Sequence, residues 1–109
     1  MTKDSAKLIH ALFTLYTSLY KQKYNSNITI NRHKEKWAMQ DVLESVGYDR
    51  TRELMVYYFD CNKPGHPLQW FFFNFDKLDD MLTKVEEDKI RRAKMREETR
   101  KMVEAEGEG

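Results

Sequence analysis

Residues 68–78 read Leu-Gln-Trp-Phe-Phe-Phe-Asn-Phe-Asp-Lys-Leu, and this stretch decides how the chain folds. Five aromatic rings fall within six consecutive residues, from Trp70 to Phe75. Each ring removes roughly 150–250 Å² from water when it is buried, so the segment must organise a core or form a contact surface. Either the first helix covers all five rings, or one or two stay exposed and bind a partner. The expected contact residues are Trp70, Phe71, Phe72 and Phe75.

Helical periodicity runs outward from this segment in both directions. Apolar residues at spacings of three and four predict helices over residues 4–23, 32–46 and 50–61. The predicted caps are Asn31 before the second helix and Asp49 before the third, with Gly47 as a left-handed residue between them. The expected inner face of the second helix is Trp37, Ala38, Val42, Leu43 and Val46.

Two shorter segments complete the secondary structure. Residues 28–30 are β-branched, which predicts an extended stretch that could form an isolated strand with no partner. Pro64, Gly65 and Pro67 interrupt the chain before the aromatic run, which predicts a short helical turn over residues 68–73. Asn74 or Asp76 is expected to cap the last helix. We expect an all-α fold, a compact bundle of three helices plus a short aromatic turn, closed by a long charged C-terminal helix.

The bulk composition limits the classes of function. The chain has 109 residues, 34% of them charged, and a net charge of +1, which suits one domain with a solvated extension. We expect a helical core over residues 1–85 and a charged helical extension with a frayed acidic tail over residues 86–109. The single Cys61 excludes an internal disulfide. With no membrane span or signal peptide expected, we place the chain in the cytosol.

The sequence contains no motif for catalysis, a metal or a cofactor. His10, His33 and His66 lie on different predicted elements and lack the spacing of metal ligands with Cys61. There is no glycine-rich phosphate loop, nucleophile elbow or zinc-protease motif. His66 lies in a turn between Gly65 and Pro67, where we expect it to form local hydrogen bonds. We therefore expect a protein that is not an enzyme and needs no cofactor.

Basic residues give three alternatives for nucleic-acid contact. One is a strip around the first interhelical link with tyrosines nearby, which suits backbone neutralisation and base stacking. Another is a helix-turn-helix formed by the second and third helices, with Arg50 and Arg52 at the start of its second helix. The last is the charged final helix, either a frayed extension or an arm that orders on a partner. The predicted contacts are Lys21, Lys23, Arg32, Lys34, Lys36, Arg91 and Arg92.

Residues 36–38 (Lys-Trp-Ala), Gly47-Tyr48, 57–59 (Tyr-Tyr-Phe) and the aromatic run resemble small DNA-transaction proteins of tailed bacteriophages. Over about residues 30–85 the pattern is similar to the late promoter transcription accessory protein of large myoviruses, including cyanobacterial phages. That resemblance implies a short, helical, non-enzymatic protein that joins host RNA polymerase to a late sigma factor and the sliding clamp. The acidic residues 104–109 do not match the hydrophobic peptide expected of a clamp-binding C-terminus.

A second resemblance is to the C-terminal domain of phage replisome organisers and helicase loaders, and it implies a role in replication with a replisome component as partner. In both cases the expected location is the cytoplasm of the infected bacterial host. A homo-oligomeric structural protein held by the aromatic run is a third alternative. The residues alone leave the oligomeric state open.

Overall fold

The computed structural model describes residues 3–107 and contains four helices in that range. They are α1 (Lys3–Tyr24), α2 (Arg32–Val46), α3 (Tyr48–Asp60) and α4 (Leu68–Gly107). No strand occurs among the described residues, so the all-α class with a long C-terminal helix is confirmed. The extended stretch expected over residues 28–30 is irregular and pairs with no strand in the described range. No helix in that range is long and apolar enough to cross a membrane.

Helix α2 begins at the predicted cap and buries the predicted face, except at Trp37. The Asn31 side chain accepts a hydrogen bond from the Lys34 backbone N–H at 3.1 Å, which confirms the cap. Met39 and Val42 are the buried residues of this helix, whereas Trp37 is 56% exposed. The prediction of Trp37 on the inner face is therefore wrong. Helical spacing fixes which residues share a face, but the neighbouring helices decide which face is covered.

Gly47 joins α2 to α3 without any intervening loop. Its φ of +85° confirms the predicted positive φ, and its N–H donates to the Leu43 carbonyl at 2.9 Å. Its own carbonyl accepts from the Thr51 N–H at 3.0 Å and the Thr51 hydroxyl at 2.6 Å. Helix α3 therefore starts at Tyr48. Asp49 lies in its first turn, so the prediction that Asp49 caps this helix is wrong.

Residues 68–73 form a short helical segment at the start of α4, as predicted, and a kink separates this segment from the rest of the helix. Asn74 has non-helical backbone angles (φ −129°, ψ 15°) within this helix, so the chain kinks at the first of the two predicted caps. The Asn74 side-chain amide donates to the Trp70 carbonyl at 2.9 Å. The Asp76 carboxylate accepts from the adjacent Lys77 N–H, also at 2.9 Å.

The chain divides into two compact units, Met1–Leu78 and Asp79–Gly109. In the first, α1, α2 and α3 pack pairwise against one another, and Phe71 and Leu78 of α4 are buried. In the second, the helix is exposed along nearly all of its length. The buried apolar residues of the first unit are Ile9, Leu12, Phe13, Tyr16, Met39, Val42, Leu54, Met55, Tyr58, Phe59, Leu68, Phe71 and Leu78.

Candidate functional site

His66 is buried among aromatic rings. Its side chain is 1% exposed and its φ is +41°. The imidazole stacks on the Phe59 ring, with centroids 4.8 Å apart, and meets the edge of Tyr58 at 5.0 Å. The loop between α3 and α4 therefore carries a core residue, which a position between glycine and proline did not indicate.

Hydrogen bonds use both nitrogens of the His66 ring. Nε2 lies 2.8 Å from the Cys61 carbonyl, and because a carbonyl only accepts, Nε2 carries the proton. Nδ1 forms a hydrogen bond with the Tyr24 hydroxyl. The His66 carbonyl accepts from the Tyr16 hydroxyl, and the Pro67 carbonyl accepts from Tyr58 at 2.8 Å. The predicted local hydrogen bonding of His66 is confirmed, and these bonds fasten the loop to α1 and α3.

Two tyrosines and the cysteine around this loop have raised pKa values, which favour their neutral forms. Burial raises the pKa of Tyr16 and Tyr58 well above the usual 10.0, and nearby tyrosines raise it further. Burial likewise raises the pKa of the Cys61 thiol, which disfavours a reactive thiolate. Among the residues that the structure describes, no group of three His, Cys, Asp or Glu side chains is placed to hold a metal ion.

The aromatic run separates into core and surface rings. Phe71 is fully buried, so its predicted role as a partner contact is wrong. Trp70, Phe72 and Phe75 are half-buried, and Phe73, which the prediction omitted, is 80% exposed. We call Trp70, Phe72, Phe73 and Phe75 the aromatic platform. Five rings in six residues indicated that some would be exposed, but not which.

Trp70 is the most constrained member of the aromatic platform. Its ring stacks on Tyr58 at a centroid distance of 5.3 Å with an interplanar angle of 8°. The Lys63 ammonium lies 4.9 Å from the centroid of the same ring, within the range of a cation–π contact. Because Trp70 and Phe73 are three residues apart on α4, they are neighbours on its surface. An exposed ring thus lies beside a fixed one.

Some of the predicted nucleic-acid contacts lie along a groove between α1 and α2. The groove has a volume of about 230 Å³. Arg32 donates to the His10 ring at 2.7 Å and lies over the Phe13 ring, while the Lys36 ammonium lies 5.2 Å from the centroid of Trp37. Both apolar and basic side chains line the groove: Ala6, Ile9, His10, Phe13, Arg32, His33 and Lys36.

The remaining predicted basic contacts lie elsewhere. Because Arg32 contacts His10, Lys21 and Lys23 lie roughly 16–20 Å further along the α1 axis, at 1.5 Å per residue. The structure therefore divides the basic strip that appears continuous in sequence. Lys34 is exposed near the start of α2. In the second unit, Arg91 and Arg92 contact Asp88 at 4.0 and 3.0 Å.

The helix-turn-helix alternative gains little from the geometry of α2 and α3. Arg50 pairs with Glu53 at 2.9 Å, and Arg52 lies over the Tyr48 ring at 5.8 Å. Both arginines that were expected to reach bases are thus engaged with side chains of their own helix. A recognition helix would present such groups to the major groove.

Comparisons of the chain with protein-family models, curated proteins and solved structures gave no match. Function is therefore argued from the arrangement of residues and from the resemblance of sequence pattern.

Proposed function

We propose that this chain is a small non-enzymatic adaptor protein that docks on another protein through its aromatic platform. The observation that carries the proposal is Phe73, a large apolar side chain that is 80% exposed and lies one helical turn from the half-buried ring of Trp70. Full burial of such a side chain contributes roughly 1.5–3 kcal/mol. Aromatic side chains of this kind dominate the energetics of many protein interfaces.

The surroundings of Phe73 favour binding because little conformational freedom remains to be lost. Trp70 is held by the Tyr58 ring and Lys63, and the Asn74 side chain bonds to the Trp70 carbonyl. These contacts fix the backbone on both sides of Phe73. A platform that is already ordered avoids part of the entropy cost that flexible side chains incur on association.

The partner that we propose is bacterial RNA polymerase, with the chain acting as a phage late-transcription coactivator in the cytoplasm of the infected host. Support for this choice comes from the resemblance to late promoter transcription accessory proteins, which covers the start of α4. The aromatic platform supplies an apolar contact of the kind such an adaptor needs. Contact with a late sigma factor belongs to the same proposal.

A retention experiment tests this function with a matched pair of variants. The full chain is immobilised and incubated with purified host RNA polymerase at micromolar concentration. We expect retention of polymerase, a loss of at least tenfold in affinity for Phe73→Ala, and a change below twofold for Trp37→Ala. Trp37 is the control because it is also an exposed aromatic residue, at 56%, but lies on α2. Absence of retention, or equal losses in both variants, would contradict the proposal.

A replication accessory role, as a helicase loader or single-stranded DNA binder, is the second candidate. The groove favours it because Arg32 and Lys36 provide positive charge near the exposed ring of Trp37. A fluorescent oligonucleotide should bind in a salt-dependent manner and lose at least tenfold in affinity when Lys34 and Lys36 are both changed to Glu. The control is the paired change Lys94→Glu and Lys101→Glu, which alters net charge equally. Equal losses would assign the binding to net charge and not to the groove.

A further inference from the structure

Several large apolar residues of α4 beyond the first unit repeat with heptad spacing, although Ile90, at position f, lies outside the repeat. With Met81 placed at heptad position d, Val85 falls at position a, and Met95 and Met102 fall at position d. Leu82 and Val103 lie beside this line at position e. The side chains of Met81, Val85, Met95, Met102 and Val103 are between 37% and 65% exposed. We call the a and d positions from Met81 to Met102 the heptad seam.

Contacts within the helix do not bury the heptad seam. Ion pairs of this unit join residues three or four apart: Asp88 with Arg91 and Arg92, and Arg100 with Glu97 and Glu104. Such exposed pairs stabilise a helix only slightly. Asp88 and Arg92 fall at positions d and a, so a polar pair interrupts the apolar line at its middle. In coiled coils a polar residue in the seam sets the register of the two helices at some loss of stability.

The flanks of the heptad seam are basic. Between Leu82 and Ala105 the e and g positions hold five charged residues, of which four are basic. Acidic residues of the same stretch lie mainly on the outer positions b, c and f. The charged flank residues are Lys84, Lys89, Arg91, Arg96 and Glu98.

This charge pattern disfavours a second copy of the chain as the partner. In a parallel pair of copies, Lys84 would face Lys89 and Arg91 would face Arg96, because positions g and e′ meet across the seam. An antiparallel pair joins g with g′ and e with e′, which again brings mostly like charges together. A helix with glutamate or aspartate at e and g would meet opposite charge in either orientation.

We propose that residues 81–103 form a two-stranded coiled coil with an amphipathic helix of a partner protein, whose e and g positions are acidic. The inference deepens the proposed adaptor function, on which it rests, by naming the chemistry of a partner segment. Association covers the exposed methionines and Val85 and pairs the four basic flank residues. The Asp88–Arg92 pair in the seam then favours one register over the others.

The test uses a designed peptide, because the natural partner is unidentified. The acidic peptide has four heptads with isoleucine at a, leucine at d and glutamate at every e and g position. A second peptide has the same a and d residues with lysine at every e and g position. Fluorescence anisotropy with the full chain should give an affinity for the acidic peptide at least tenfold higher than for the basic one. Added salt should reduce this difference.

Charge-reversal variants locate the binding to the heptad seam. Changing Lys89 and Arg96 to Glu should weaken binding of the acidic peptide at least tenfold and improve binding of the basic peptide. Changing Lys94 and Lys101 to Glu is the matched control, because both lie at position c, and it should alter either affinity less than threefold. Equal effects of the two pairs would overturn the inference, as would an unmodified chain that shows no preference between the peptides.

The outcomes separate this inference from the proposed function. Retention of polymerase that depends on Phe73, with no preference between the peptides, overturns the coiled coil and supports the adaptor. The reverse pattern supports an acidic helical partner and contradicts RNA polymerase docking through the aromatic platform. Sedimentation of the unmodified chain should give a monomer at micromolar concentration. A dimer that is lost in the Met95→Asp variant would show that the seam pairs with itself and would overturn the choice of partner.

Discussion

Residues 3–78 and residues 79–107 are both rich in helix, but they differ in burial: most apolar side chains of the first stretch are buried or half-buried, and most of the second are exposed. In the first stretch the rings of Phe13, Tyr16, Tyr58 and Phe71 are fully buried, and the two tyrosine hydroxyls donate to backbone carbonyls of the loop before α4. In the second, the methionines stay exposed, and ion pairs such as Asp88–Arg92 and Glu97–Arg100 form within the helix. Helical periodicity alone therefore does not make a core. Burial needs a neighbouring element whose shape and apolar surface fit.

The largest expected effect contrasts two phenylalanines that lie two residues apart on α4. Phe71→Ala should lower the free energy of unfolding by about 3–5 kcal/mol, because it leaves a cavity in a sealed core. Phe73→Ala should change it by less than about 0.5 kcal/mol, because its ring is already in water. Urea unfolding followed by circular dichroism at 222 nm measures both. Similar losses in the two variants would contradict the division of the aromatic run into core and surface.

Alkaline pH should destabilise the core through its buried tyrosines. Burial raises the folded-state pKa of Tyr16 and Tyr58 above the unfolded value of 10.0, so their contribution is complete below pH 10.0 and is lost as pH rises above it. Each group lowers the free energy of unfolding by up to about 1.4 kcal/mol per pH unit. Urea unfolding at pH 9, 10 and 11 should show this onset, with a smaller slope above pH 10 in Tyr16→Phe. An unchanged slope would exclude Tyr16 as a source.

Gly47→Ala should cost about 1–3 kcal/mol in the free energy of unfolding, because Gly47 has φ +85° and ψ 166°, a region that L residues avoid. No heavy atom lies within 4 Å of the position where a Cβ would be added, so the expected loss comes from the backbone alone. A D-alanine at position 47, introduced by chemical synthesis, adopts positive φ without this strain and should cost less than about 0.5 kcal/mol. Equal losses for L-alanine and D-alanine at position 47 would show that contacts of the added methyl group, and not backbone strain, cause the destabilisation.

The smallest expected effect belongs to the heptad seam. Met95→Ala should change the free energy of unfolding by less than about 0.5 kcal/mol, because the side chain is 60% exposed and alanine favours a helix. The same urea titration measures it, and Lys94→Ala serves as a control on the outer face. If Met95→Ala lowered the free energy of unfolding by more than about 1.5 kcal/mol, as expected for a core residue, the heptad seam would already be covered in solution.

The sequence located the candidate site but could not show which of its side chains are buried. The density of rings in residues 70–75 located the aromatic platform, but Phe71 and Phe73 have the same chemistry, and only packing distinguishes them. His66 was expected to bond locally, and its burial depends on Tyr24 and Phe59 from two other helices. Lys23 and Arg32, nine positions apart in the sequence, lie far apart in the structure because the link between α1 and α2 returns along α1 to His10.

The sequence by itself determined the class of the fold and the main interruptions of its helices. Local interactions set these features: helical spacing of apolar residues, the Asn31 cap, the positive φ of Gly47 and the prolines before α4. Only the tertiary structure decided that Met39 and not Trp37 enters the core and that Phe73 faces water. These outcomes depend on which surfaces meet, and contacts between residues far apart in sequence leave no periodic signal along the chain.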